Sequence, residues 1–412
     1  MTDPVETALD TVHRLDFSGD TVQAPTVPDT LLTRQSGRDV PSPGETADTV
    51  HRTLPAGDTV PRSEPAGAIE PGGEAGFQQK PSAQVSRKDT ISIIGTGDIM
   101  PGTNFPDDRY LPPGGDCMPL FAPVRSLLRS ADITFGNLEG VFSGEGGTAK
   151  NCRDPEVCYV FRMPGQMLDC IRDAGYDVLS VANNHVNDFG REGRLTTAAM
   201  LEEAGVAFAG FLEKPSDTFG LDGLTIGFAA FAPNRGTVNM KDYDAAAAIV
   251  ARLDSLADLV IVSFHGGAEG SDHQHTPCTD EVYLGYNRGN VCHFAHTVVD
   301  AGADVVFGHG PHVTRAMELY KDRLICYSLG NFCTYRRFNL RGANGIAPVV
   351  KVLTNREGRF LGGQVIPVYQ PGAGGPRIDP QNRAIHKLRE LNAADFPGNP
   401  LIIHEDGTLE KH

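Results

Sequence analysis

Six residues of the types that bind divalent cations stand just beyond apolar runs in this chain: Asp98, Glu139, Asn184, His265, His309 and His312. Two carboxylates, an amide and three imidazoles form a mixed hard and borderline set, suited to one or two divalent ions such as Mn, Zn or Fe. His309 and His312 stand three apart in Gly308-His309-Gly310-Pro311-His312, where two imidazoles can aim at one point. The glycines let the backbone turn sharply and Pro311 stiffens the turn. Ligation needs that stiffness, because imidazoles must be held about 2.0–2.1 Å from an ion such as zinc. His185, beside Asn184, either ligates or serves as a general acid. Arg288 offers a planar fork for a phosphate or carboxylate. The chemistry this set would do is metal-assisted hydrolysis of an anionic small molecule or polymer.

The elements that must position these groups are strands. Ile91–Ile94 is an apolar run closed by Gly95-Thr96-Gly97-Asp98, and Ala131–Phe135 runs into Gly136-Asn137-Leu138-Glu139. Asn137 and Glu139, two apart in extended chain, point the same way. Val178–Ala182 delivers Asn183-Asn184-His185, with one asparagine free to be purely structural. Asp258–Phe264 delivers His265, and Val305–Phe307 delivers the paired histidines. Leu224–Phe231 reads as a further strand, on a second face of the sheet. Helical spacing appears at Phe121–Ser130, Gln166–Ala174, Leu195–Ala204 and His293–Ala301. Val349–Val352 and Phe360–Pro367 form a closing hairpin. Strand, ligand-bearing loop and helix in repetition give a layered α/β sheet whose ligands sit at strand ends. Each candidate alone has a bland reading, such as a turn cap for Asp98. Their shared position at strand ends favours one site. Glu269 either holds a histidine N–H or faces solvent, Asn331 supports a ligand, and His273 and His275 read as a solvated loop over the site.

The chain has 412 residues and a net charge of −16, with a pI near 5.2. That balance argues against nucleic acid or an anionic membrane as the main partner. No run approaches the roughly 18–20 apolar residues of a membrane span. The first residues show neither a basic n-region nor an apolar h-region, so no secretory signal is read. The pattern carries no signal for oligomeric state. Among eight cysteines, Cys152 and Cys158 bracket a short loop and read as either a small disulfide or two thiols. Residues 1–88 are rich in Pro, Gly, Thr, Asp and Glu, and ETALDTVHR at 6–14 echoes ETADTVHR at 45–52. Such a segment reads as a disordered leader or spacer. The expected organisation is this tail, a domain over 89–370, and an extension over 371–412 that packs on or trails it.

Together the blocks GDIM (97–100), ADITFGNLEG (131–140), VANNHVNDFG (181–190), HGGAE (265–269), GHGPH (308–312) and YSLGNF (327–332) resemble the CapA family of capsule-biosynthesis proteins. That family is similar to calcineurin-like metallophosphoesterases and is named for poly-γ-glutamate capsule assembly. The resemblance implies a four-layer α/β/β/α sandwich of metallophosphatase type, with Asp98 as first acidic ligand. It implies Asn184 with His185 as the Asn-His block, His185 being the acid near the leaving group, and His265, His309 and His312 as the histidine blocks. Members are commonly anchored outside the membrane. This chain departs in three ways. Asp98 is followed by Ile99-Met100 where phosphoesterases have Asp-x-His. Asn137-Leu138-Glu139 replaces their Gly-Asp-x-x-Asp, leaving either two ions bridged by Glu139 or one ion. Gly266 and Gly310 stand where the usual CapA blocks carry Trp and His. Two functions follow from the residues and the resemblance: a metal-dependent hydrolase acting on a phosphoester, or less readily on a γ-glutamyl amide; and a non-catalytic assembly or export protein whose metal is structural.

Overall fold

The computed structural model describes residues 89–144, 146–151 and 158–412. The leader reading for 1–88 and the Cys152 half of the Cys152–Cys158 pair fall outside these residues. The strand Thr90–Met100 is the spine of the first sheet. Ten of its eleven residues are buried, which is why it reads as a continuous apolar run rather than an alternating one. It pairs in parallel with Ile133–Leu138, which leads on to Val178–Ser180 and Ala207–Ala209. Its other edge takes Ile346–Asn355 and then Phe360–Tyr369, both antiparallel. At its carboxyl end it also pairs with Asn331–Thr334. Residues beyond 370 add the helix Arg383–Asp395 and the strands Leu401–Ile403 and Thr408–Lys411, which extend this sheet.

The second sheet has four parallel strands, Leu224–Phe231, Leu259–His265, Val305–His309 and Arg323–Cys326. Antiparallel edge strands, Ser216–Leu221 and Met317–Tyr320, close it. Alternation of side chains then decides the layering. Ile91, Ile93, Ile133 and Phe135 from the first sheet share one core with Phe228, Ile261, Val305 and Phe307 from the second. The rings of Phe135 and Phe307 stack across the seam, 5.0 Å apart and 7° from parallel. Ile94, Leu138 and Leu179 point the other way, onto Met167, Ile171 and Leu201 of the helices Gln166–Ala174 and Gly190–Ala204. On the far side, Val260, Val262 and Val306 meet Val250, Leu253, Phe294 and Val298 of Tyr243–Asp254 and Val291–Asp300. The fold is a four-layer α/β/β/α sandwich.

One helix differs from the spacing. Phe121–Ser130 is broken into Met118–Phe121 and Arg125–Leu128, because Pro123 lacks an N–H and disfavours helical backbone before it. The insert over 270–292 holds a hairpin, Glu281–Tyr283 with Tyr286–Gly289. Its turn, Leu284-Gly285, has positive φ at both residues, the geometry that suits a twisted two-residue hairpin. Disulfides join Cys117 to Cys170 and Cys278 to Cys292, pairs that spacing had not singled out. Among the described residues no helix is long and apolar enough to cross a membrane.

Candidate metal centre

The carboxyl ends of both sheets meet at one place. Asp98 is in register with Asn137 on one side and Asn331 on the other. His265 and His309 are register partners on adjacent parallel strands. The glycines before Asp98 admit what crowds them. A Cβ on Gly95 would stand 2.3 Å from the Phe307 ring, and one on Gly97 would stand 2.0 Å from the Gly330 carbonyl. That carbonyl accepts the Asp98 N–H at 2.9 Å. Small residues are therefore required there for Asp98 to reach the seam.

Asp98 is the hub. Its Oδ2 lies 2.8 Å from His312 Nδ1. Its Oδ1 accepts from Asn137 Nδ2 at 2.9 Å and lies 3.3 Å from His309 Nδ1, without the alignment of a full hydrogen bond. Asn137 Nδ2 also donates to Glu139. Glu139 in turn faces His265 Nδ1 at 3.6 Å and His185 Nε2 at 3.8 Å. Donor atoms of Asp98, Glu139 and His265 all lie within 4.8 Å of one another, close enough to share a cation.

The electrostatics of this cluster are those of charges removed from water. Burial, then the Asp98 charge, push the Glu139 carboxyl well up. Burial would raise Asp98 too, but the imidazoles of His309 and His312 outweigh it and hold Asp98 well below the usual carboxylate range. Burial opposes a charged His312, yet Asp98 pushes that ring up to about 10. Burial, then the charge of Arg288, push His265 well down.

The donor set fits a divalent cation. Glu139 Oε1, Asn184 Oδ1, and both ring nitrogens of His265 and of His309 are buried without a hydrogen-bond partner. Each such atom costs roughly 1–3 kcal/mol. Orphaned atoms of this kind are uncommon in folded chains, and those of Glu139 and His265 belong to the group that, with Asp98, could hold an ion. The two asparagines divide their work. Asn183 donates to Leu138 O and Asn137 Oδ1 and accepts from the His185 N–H, so it is the structural one.

His185 is gripped from behind. Its Nδ1 lies 2.7 Å from Asp188 Oδ2, and Phe161 stacks on its ring at 4.2 Å. Asp188 also accepts from the Phe161 N–H at 2.6 Å and pairs with Lys150 Nζ at 2.5 Å. Burial moves His185 down despite Asp188. Sequence reasoning missed both supports. Asp188, three residues after His185, was the visible signal; Lys150 left none. Glu269 lines the cleft, part-exposed, and pairs with Arg288 Nη1 at 2.8 Å. Arg288 Nε and Nη2 remain buried and unpartnered. Asn331 Nδ2 supports the His312 carbonyl at 3.2 Å, which matters because His312 holds a left-handed φ of 57°. His275 binds Asp395, away from the centre. A cleft of about 1230 Å³ opens above, lined in part by Asn184, His185, Arg288, His312 and Asn331.

Residues 92–336 match the family model described as Bacterial capsule synthesis protein PGA_cap. The chain belongs to that family. Capsule biosynthesis protein CapA of Bacillus anthracis is 29% identical over 268 residues, 60% of this chain and 60% of that protein. PGA biosynthesis protein CapA of Bacillus subtilis (strain 168) is 27% identical over 274 residues, 63% of this chain and 67% of that one. Among solved structures, a 5'-nucleotidase precursor from Thermus thermophilus aligns with a TM-score of 0.37 and 14% identity, over 74% of this chain and 59% of that one.

Gly266 and Gly310 pack against each other. Gly310 has φ +114°, and a Cβ there would lie 2.6 Å from the Gly266 carbonyl oxygen. A Cβ on Gly266 would lie 2.5 Å from Met240 Sδ and 2.9 Å from the Arg288 carbonyl oxygen. With no Cβ at either position, the two histidine strands and the Arg288 hairpin can close on one another.

Proposed function

We propose that the chain is a metal-dependent hydrolase of the phosphoesterase kind that serves capsule or exopolymer synthesis. One observation carries this reading: unpartnered, buried ligand atoms converge where Asp98, Glu139 and His265 lie within 4.8 Å of each other. Asp98, Glu139, Asn184, His265, His309 and His312 would hold one or two ions of Mn, Zn or Fe. An ion held there supplies Lewis acidity, activating water and offsetting charge on the transferred group. In the hydrolysis, a water gives up a proton to solvent as its oxygen adds to phosphorus, and the bond from phosphorus to the leaving oxygen breaks. His185 Nε2 gives its proton to that oxygen while Asp188 sustains the charged ring. Arg288 holds a substrate oxygen through its free Nε and Nη2.

The names of the Bacillus relatives support the capsule setting. They also favour a second reading, a non-catalytic assembly or export role with a structural metal. Elemental analysis of protein purified without added metal, with chromogenic phosphomonoester and phosphodiester assays on the same sample, separates the two. About two equivalents of transition metal with chelator-sensitive turnover supports the hydrolase. Bound metal without turnover of phosphoesters or γ-glutamyl amides supports the second reading. No metal even after reconstitution ends both.

A further inference from the structure

The acidic chain turns basic where its cleft opens. The described residues lining it include Lys241, Arg288 and Arg337, with Lys150 already paired to Asp188, and a single carboxylate, Glu269, in a chain of net charge −16. Arg288 belongs to the centre itself. Arg337 does not, yet it is built with equal care. Its guanidinium lies over two rings, 4.7 Å from the centroid of Tyr110 and 5.2 Å from that of Tyr159. Planar stacking of this kind fixes the fork's direction while leaving its N–H groups free. Its Nε is buried with no hydrogen-bond partner, and no described carboxylate pairs with it. The nearby Asp107 is taken by Arg109, through Nε and Nη2 at 2.7 Å each. Arg336 and Arg337 are both left-handed, at φ 51° and 52°. Such a corner is strained, and it persists where surrounding structure holds it. The next residue, Phe338, packs on Phe161 at 5.2 Å and edge-on to His312 at 5.7 Å. Arg337 is thereby joined to the wall of the metal centre.

We propose that Arg337 is a second oxyanion subsite, so that the cleft takes chain-like ligands carrying two anionic groups, one for the centre and Arg288, one for Arg337. This rests on reading the centre as a phosphoester-binding metal site. The distal group is a carboxylate or a phosphate; both fit a guanidinium fork. The test is calorimetric titration of the manganese-loaded full chain with three series of increasing length: plain alkyl phosphates, ω-carboxyalkyl phosphates and alkane bisphosphates. At one length a tail anion should tighten binding about tenfold over the plain phosphate, the worth of one charge-assisted contact. The tail that does so identifies the distal group. In Arg337→Met the ratio of tailed to plain affinity should fall toward one, and Arg337→Lys should restore part of it. Tyr159→Leu, which removes one face of the clamp, should lower the ratio without removing the charge. A tail that adds nothing at any length, or an increment that survives Arg337→Met, overturns the subsite and leaves the metal reading standing. If plain alkyl phosphates fail to bind the loaded chain, the metal reading fails and the subsite falls with it.

Discussion

The neighbours of the His185 ring each limit it differently. Asp188 takes Nδ1, Phe161 covers a face, Lys150 anchors Asp188, and Glu139 stands opposite Nε2 within the cluster that His265 completes. His185 also lines the cleft, where a leaving group could meet it. Replacing His185 with Asn should lower kcat on a poor leaving group by about 10²–10⁴-fold. Metal content should be unchanged. The loss should shrink for nitrophenyl esters, whose leaving oxygen needs no proton; equal losses on both substrates would argue for a ligand role instead. The candidate ligands were legible in the sequence because each follows an apolar run, and position at a strand end is a pattern one chain can show. Arg288 was legible as a cation in a loop, but its pairing with Glu269 was not. Lys150 was invisible for the same reason: its partner, Asp188, is far along the chain, and nothing local marks the pair.

Among the elements, loops and strand beginnings carry the strain. Gly310→Ala puts a Cβ into the Gly266 carbonyl at a left-handed φ. It should cost at least about 1–3 kcal/mol in urea unfolding. Gly372→Ala, also left-handed at φ +59° but with nothing within 4 Å, should cost less. Equal costs would mean that the close approach of the two histidine strands is not needed. At the start of the Val305–His309 strand, burial lifts the Asp304 carboxyl to about 6, although the Val260 N–H and Arg323 oppose it. A raised folded value means the carboxyl favours the fold fully below its ordinary value of 3.8. That contribution is lost as pH rises through about 6. Wild-type stability minus that of Asp304→Asn should thus fall by up to about 3 kcal/mol between pH 4 and pH 8. A gap that does not move with pH would refute it. Several elements were readable and one was misread for a visible reason, since Pro123 stood inside the helix expected over Phe121–Ser130. The helix Tyr243–Asp254 went unread although its alanine run favours helix. The short strand Ala207–Ala209 has too few residues to show any period.

At the scale of the molecule, the centre is a seam. Asp98 and Glu139 come from one sheet, and His265 and His309 from the other. The stacked Phe135 and Phe307 lie between those sheets. An ion bound across such a seam binds the folded chain and not the unfolded one. At a hundredfold excess over its dissociation constant it should add about 2.7 kcal/mol to stability. Chelation should therefore lower the thermal midpoint by several degrees, and His265→Ala should abolish that difference. A midpoint indifferent to chelator would place the ion elsewhere. That there are two sheets was not written in any single strand, because central strands are apolar on both faces; the family resemblance supplied it.

The hydrogen bond between Asp98 and His312 joins residues 214 positions apart. Closing so long a loop is paid in chain entropy before the contact returns anything, and such non-local contacts slow folding. A growing chain thus has Asp98 long before it has His312, and the centre can be completed only when both sheets exist. Cation uptake, followed in time during refolding, is expected to lag behind the collapse of the apolar seam and to mark the moment at which the last strand order is settled.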